Sequence, residues 1–408
     1  MNIDHALTDP EFFASGDPHG LWRKLRTEDP VHWTQGRLTR PFWSITRHVE
    51  SIAVLRDPVI FSSEREGQFL PADDSMEGIA ADTLGRGIAM ISTDPPKHTA
   101  MRELLAGPYT PRAVMQLEER VRGIVREAFD EALGRHVIDL VSDIATKVPI
   151  AVICDMLDIP REDWPYILKL NNMIIGSSDP QFQDGSAGNS FEKGFTGLGE
   201  YGLNLAQKRR ASPGTDTLSS LGAGLLQGRP FTDREIRSNS TQIIAAGFET
   251  TRNTFAAGVH ALIERPDQMA KLRANRKLVN SAVEEILRYI TPSVHTMRTA
   301  ARDTEISGTK IREGDRIVIW SQSANRDELV FKDPDSFLVD RSPNPHISFG
   351  YGAHFCLGAH LAKLELRLML SELLDRVGEI RLLGPVEKLK SNWIAGVKAM
   401  PVELVAAA

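Results

Sequence analysis

Apolar residues recur at helical spacing along most of the chain, and only short stretches alternate as strands do. After Thr110-Pro111, an N-cap with proline at the first helical position, Leu117, Val121, Ile124, Ala128 and Leu133 share a helical face, and Gly134 marks the stop. A shorter helix follows Asp94-Pro95-Pro96. Thr232-Asp233-Arg234-Glu235 is a capping box, and the helix it opens runs to Glu264, where Arg265-Pro266 ends it. At the usual rise per residue it is about 45–50 Å long, the length of a central element. A further helix covers roughly residues 276–290 and stops before Pro292. Phe42-Trp43-Ser44-Ile45 and, after the Glu313-Gly314-Asp315 turn, Arg316-Ile317-Val318-Ile319-Trp320 predict strands. The last long helix begins beside Cys356 and carries Leu361, Leu364, Leu368 and Leu370. The pattern predicts a fold that is mainly α with small β-sheets.

Two stretches lack periodicity. Residues 67–91 mix Gly, Pro, Asp and Ser with apolar residues and predict a long loop. Residues 176–202 hold seven glycines among polar residues. They predict either a surface loop or a lid over a ligand site.

Composition narrows the class. Apolar residues make up 41% of 408, enough for a large core, and no internal repeat divides the chain, so residues 1–408 are expected to form a single domain. A net charge of −6 argues against a nucleic-acid binder. Two cysteines, Cys154 and Cys356, make no disulfide framework and no zinc cluster. The N-terminus shows no signal peptide, and no run is long enough for a membrane anchor, so a soluble cytoplasmic protein is expected.

The two cysteines differ in setting. Cys154 lies in the apolar stretch Val148–Leu157 and reads as a core residue. Cys356 lies in Phe349-Gly350-Tyr351-Gly352-Ala353-His354-Phe355-Cys356-Leu357-Gly358. Closely spaced glycines allow a tight bend whose backbone approaches a flat ligand. A cysteine just before a helix is expected to have its thiol pKa lowered, and backbone N–H groups there donate to the sulfur. The pattern Phe-Gly-x-Gly-x-His-x-Cys-x-Gly resembles the haem-ligand loop of the cytochrome P-450 family. The resemblance implies that family's triangular helical fold, with haem between the long central helix and the cysteine-loop helix. It makes Cys356 the axial ligand of haem iron, places Phe349 and Gly358 beside the sulfur, and brings His354 to a haem propionate.

Further motifs follow in the family's order, over roughly residue 90 to the C-terminus. Glu285-Ile286-Leu287-Arg288 alone reads as a solvated helical pair. Under the resemblance, Glu285 and Arg288 join Arg341 in a network that holds the cysteine loop. Ala246-Gly247-Phe248-Glu249-Thr250-Thr251 lies mid-helix, where glycine costs about 1 kcal/mol against alanine and a threonine can bond back to an i−4 carbonyl. The resemblance makes Glu249 and Thr250 an acid–alcohol proton relay, with Ala246 and Gly247 leaving room for oxygen. His98 and Arg102, at i,i+4, match a propionate-binding pair; Arg298 matches a third group, and His354 completes the clamp.

The implied cofactor is haem b (iron protoporphyrin IX), with O2 as co-substrate. The implied reaction inserts one oxygen atom into an apolar small molecule: a terpenoid, steroid, fatty acid or polyketide. The chain has no flavin or nicotinamide fingerprint, so electrons are expected from NAD(P)H through a reductase and a ferredoxin, with Lys363 and Arg367 as candidate docking charges. A peroxide-driven oxygenase, or a non-oxygenating isomerase or sensor, is the alternative. By family comparison, pocket walls fall in residues 69–91 and 171–200 and at Ile243, Ala246, Val294, Trp393 and Ile394.

Overall fold

The capping box at Thr232 opens a helix of 31 residues, Asp233–Ile263, in the computed structural model, which describes residues 2–36, 39–71, 73–77, 79 and 83–407. The Thr232 hydroxyl accepts the Glu235 N–H at 3.3 Å, and the Glu235 carboxylate accepts the Thr232 N–H at 3.0 Å. This long helix serves two apolar clusters. Its C-terminal half puts Phe255, Ala256, Val259 and Leu262 against Val125 and Phe129 of helix Glu118–Leu133 and Leu361 and Leu364 of helix Ala359–Arg376. Its N-terminal half puts Ile236, Ile244 and Phe248 with Ile174 of helix Trp164–Ile175 and Phe191, Phe195 and Leu198 of helix Ala187–Arg209.

That last helix corrects one expectation. Much of the glycine-rich 176–202 stretch is helical, as Ala187–Arg209, and not a surface loop. Its glycines are where neighbouring chains come closest. A Cβ on Gly194 would lie 2.5 Å from the Leu170 carbonyl oxygen, and one on Gly202 would overlap the Ser240 side chain of the long helix. The tight crossing costs helix propensity at each glycine and recovers it as packing.

The 110–133 helix is two pieces. Thr110 caps Pro111–Gln116, the chain tightens at Leu117, whose N–H bonds Val114 O at 3.0 Å, and Glu118–Leu133 continues. Helix Val279–Ile290 ends at Thr291, which is left-handed and turns its hydroxyl back onto Arg288 O at 2.7 Å. Residues 67–91 are mostly irregular, with short helical turns at Asp74–Glu77 and Met90–Ser92; residues 72, 78 and 80–82 of the expected loop lie outside the described residues.

Both predicted strands form. They lie in a five-stranded sheet ordered Val31–Thr34, Phe42–Ile45, Arg316–Trp320, His295–Ala300, Phe61–Ser62. Arg316–Trp320 runs parallel to Phe42–Ile45 and antiparallel to His295–Ala300, pairing Ile317 with Arg298. Every residue of Arg316–Trp320 is buried: Ile317–Trp320 as an apolar run in a central strand, and Arg316 by pairing with Glu66 and Glu77. Among the described residues no helix is long and apolar enough to cross a membrane.

The glycine argument is testable by contrast. Gly123, within Glu118–Leu133, has nothing within 4 Å of where an added Cβ would sit, so Gly123→Ala should stabilise by up to ~1 kcal/mol. Gly202→Ala should destabilise by ~1–3 kcal/mol through overpacking. Denaturant titration of the two variants reads the difference; equal midpoints would show that the helices part freely.

Candidate functional site

Cys356 sits where a strained bend meets a helix. Gly350 and Gly352 have φ of 71° and 70°, a conformation that disfavours side chains, and a Cβ on Gly352 would lie 2.5 Å from Leu55 O. Cys356 N–H donates to Phe349 O at 2.8 Å, which closes the bend, and Gly358 precedes helix Ala359–Arg376. Cys356 is half-buried. Burial raises its thiol pKa, while the Gly358 N–H on the sulfur and the charge of Arg102 pull it down. With no metal present burial outweighs both, so the thiol lies above its ordinary value where a lowering was expected. Phe349 is half-buried, 6.2 Å from the Phe355 ring centroid. Cys154 is fully buried, and burial pushes its thiol up to about 12, as suits a core residue.

Beside the cysteine loop four basic side chains converge. The His98 and His354 rings lie 4.0 Å apart between centroids. Burial, then Arg102, brings His98 down to about 4; burial, then Arg298, His98 and Arg102, brings His354 to about 2; burial brings Arg298 to about 10. Neither ring nitrogen of His98, nor Nε2 of His354, has a hydrogen-bond partner. Asp94 is the acid that His98 and Arg298 feel. Clustered, desolvated donors without partners are costly unless an anion joins them.

The Glu285 network forms as expected, and it is no solvated pair. Glu285 and Arg288 are fully buried and joined at 2.7 and 2.8 Å; Arg341 adds bonds of 3.1 and 3.0 Å to the two carboxylate oxygens. Arg288 also donates to the carbonyls of Asn325, Pro334 and Ser336, and Arg341 to those of Lys332, Asp333 and Ser336.

On the long helix the expected group divides. Ala246 is exposed mid-helix and Ile243 and Thr250 are half-buried, although Ile244 and Phe248 between them are fully buried. Ala246 and Thr250, one turn apart, therefore share an open face. Gly247 does not: its missing side chain is filled by Ile153, 2.5 Å from a Cβ there, so its role is close helix packing and not room for oxygen. Glu249 also faces inward. It accepts from Asn171 Nδ2 at 3.0 Å, Arg252 at 2.5 Å and Asn253 Nδ2 at 2.8 Å, and no bond joins it to Thr250. The backbone is loosened here, since Asn253 Nδ2 and the Thr254 hydroxyl bond back to the carbonyls of Glu249 and Thr250. Arg252 was legible as Glu249-x-x-Arg252, the spacing of Glu285 and Arg288; Asn171, far away in sequence, carried no signal.

Of the expected pocket walls, Trp393 lines a cleft with Phe69, its ring 4.3 Å away, and with Phe191. Val294 does not. It is 1% exposed and packs with Trp22, Met297 and Trp320 under the sheet, because its N–H is tied to Trp393 O and its side chain falls on the opposite face. Ile394 is buried in the cluster of Ile244 and Phe248, behind the wall. Arg86, within the expected 69–91 wall, also lines the cleft, as do Gln68 and Asn392, which were not anticipated. Lys363 and Arg367 border a separate groove with Met115 and His360, but each already holds an acid, Glu284 at 2.7 Å and Glu118 at 2.8 Å. They are less free as docking charges than expected.

A family model described as cytochrome P-450 matches residues 197–377. Linalool 8-monooxygenase of Pseudomonas putida is 34% identical, covering 98% of this chain and 98% of that protein. Steroid C26-monooxygenase of Mycolicibacterium smegmatis is 32% identical over 94% of this chain and 90% of its own length. A Mycobacterium marinum cytochrome P-450, solved in complex with pseudoionone, superposes with a TM-score of 0.90 at 31% identity, covering 96% of both chains. The fold is thus the cytochrome P-450 fold, whose proteins use haem b and O2. The residues present fit that cofactor. Haem b carries two propionates, and the unpartnered nitrogens of His98 and His354 beside Arg102 and Arg298 are the donors such anions need.

The histidines predict an acid limit. His295 is buried, with Nδ1 donating to Asn392 O and Nε2 accepting the Leu70 N–H, both at 3.0 Å, and burial brings it to about 4. In the unfolded chain a histidine titrates near ~6.5, so the unfolded state binds more protons below that pH. The stability of the haem-free protein should be level above about pH 6.5 and fall as pH drops toward 5, above the usual carboxylate range. Thermal midpoints across that window check this; a flat profile would show that His98, His295 and His354 are not held neutral.

Proposed function

The chain belongs to the cytochrome P-450 family, and on that premise we propose that residues 1–408 act as one haem-thiolate monooxygenase domain hydroxylating or epoxidising an apolar small molecule of terpenoid, steroid or lipid type. The observation that carries the reading is the set of unpartnered ring nitrogens of His98 and His354, next to the charges of Arg102 and Arg298, beside the closed bend of Cys356. Haem b, when bound, supplies dioxygen activation: one oxygen atom enters the substrate and the other leaves as water, at the expense of two electrons.

The chain's own residues do the rest. The Cys356 sulfur would hold the iron, whose charge would offset the burial that disfavours the thiolate, and the Gly358 N–H on the sulfur would temper its charge. His98, Arg102, Arg298 and His354 would orient the ring through its propionates. Ala246 and Thr250 share an open face of the long helix, where Thr250 would hold a proton at Oγ1. Glu249 is a positioning residue in this geometry; to relay protons its carboxylate must leave Asn171 and Arg252. Relatives acting on linalool and a steroid support an apolar substrate. Electrons come from a ferredoxin and its NAD(P)H-dependent reductase, which dock at the groove of Met115, His360, Lys363 and Arg367.

Two experiments test this. Cys356→Ser should fold and lose the thiolate-type spectrum of the reduced carbon monoxide complex; an unchanged spectrum would exclude Cys356 as the ligand. Thr250→Ala should keep substrate binding and NAD(P)H consumption, while product per NAD(P)H falls about tenfold or more and hydrogen peroxide rises. Tightly coupled turnover by that variant would remove Thr250 from the mechanism.

A further inference from the structure

The cleft beside Trp393 has largely apolar walls that include one basic side chain, Arg86. Phe69 and Trp393 pack edge to face, with Leu84, Met76 and Phe191 completing the apolar side. Arg86 and Asn392 also line the cleft. Asn392 is 2% exposed, yet its Nδ2 has no hydrogen-bond partner. Arg86 is half-buried, its Nε is buried without a partner, and its guanidinium makes no ion pair among the described residues.

The acids nearest Arg86 are already committed. Glu66, which also lines the cleft, pairs with Arg40 and with Arg316 at 2.7 Å; Glu77 is held by Arg316 at 2.5 and 3.0 Å and by Thr39. Among the described residues whose charges act on Arg86, two glutamates are already paired with Arg40 and Arg316, which leaves Arg86 without an ion pair there. Arg86 is also held in place. It lies between Gly85 and Gly87, both at positive φ, in a turn pinned by Lys97 Nζ on Gly87 O at 2.6 Å and by Met90 N–H on Asn239 of the long helix at 2.8 Å. The charges it feels are Glu66, Glu77, Arg316 and Arg40, none of which belongs to the His98–His354 cluster. It is a separate anion-binding group from the propionate donors.

We infer that this cleft selects substrates bearing a carboxylate on an otherwise apolar body, with Arg86 as the charged donor and Asn392 Nδ2 as the neutral one. The inference narrows the substrate class of the monooxygenase reading and rests on that reading only for the oxidation of the bound molecule.

The test uses the haem-loaded protein and three matched pairs: dodecanoic, geranic and cholanic acids, each against its methyl ester, at neutral pH. Equilibrium dialysis gives affinities without turnover, and the spin-state spectrum reports whether the bound molecule reaches the iron. At least one acid should bind about tenfold or more tightly than its ester. Arg86→Gln should lower that acid's affinity about 10- to 100-fold, to the level of the ester, and leave the ester unchanged. Arg86→Lys should retain most of the preference, and Asn392→Leu should lose part of it. Arg86 has no ion-pair partner among the described residues, and an unchanged thermal midpoint verifies the fold. Esters binding as well as acids in every pair, equal losses for acid and ester in Arg86→Gln, or no saturable acid binding would each overturn the inference. A bound acid that is never oxidised with electrons supplied would instead sink the monooxygenase reading.

Discussion

A carboxylate buried at Glu285 cannot exist alone in this core, and much of the structure around the cysteine loop follows from what it requires. An unpaired buried charge costs several kcal/mol, so Arg288 and Arg341 must both be present and correctly turned. Their remaining donors capture carbonyls at Asn325, Lys332, Asp333, Pro334 and Ser336, which folds an irregular stretch against helix Val279–Ile290. From there the chain is tied at each step. Ile347 N–H donates to Asn325 Oδ1 at 2.8 Å and the Ser348 hydroxyl to Leu287 O at 2.7 Å, so Phe349 arrives at the bend in a fixed place. The position of Cys356 is thus set by a network that never touches it.

The long helix solves a second problem, that of being both core and wall. Its two halves belong to different apolar clusters, and the stretch from Ala246 to Thr251 lies between them. Gly247 lets helix Lys147–Met156 press Ile153 against it, while Glu249 is drawn inward by Asn171 and Arg252. With those two residues facing the core, Ala246 and Thr250 are left on the open face. The bond from Asn171 also links the long helix to Trp164–Ile175.

Legibility in the sequence tracked how local the physics was. The capping box, the Arg316–Trp320 strand and the Phe349–Gly358 bend are determined by adjacent residues, and each stands where its pattern predicted. Glycines 194 and 202 looked like loop residues because their meaning lies in Leu170 and Ser240, remote in sequence. Val294 was misassigned for the same reason: which face it takes depends on the bond to Trp393. The pairing of Glu249 with Arg252 was there to be read at i,i+3, but adjacency to Thr250 suggested a partner that helical geometry turns away.

The fate of each buried cation separates structural from ligand-binding roles. Arg288 and Arg341 meet their acid and backbone carbonyls within the chain, and Arg316 meets two glutamates, so a ligand would gain little from them. His98 and His354 keep bare nitrogens near Arg102 and Arg298, a cluster sized for more than one negative charge. Arg86 stands apart from that cluster, with its own acids spoken for, on the wall of an apolar cleft. Desolvation penalises all these groups alike, so the unsatisfied ones are retained against a cost that folding alone does not repay. The two groups of unsatisfied donors lie close to one another, since Gln68 lines the cleft and lies 3.5 Å from His354 Nδ1.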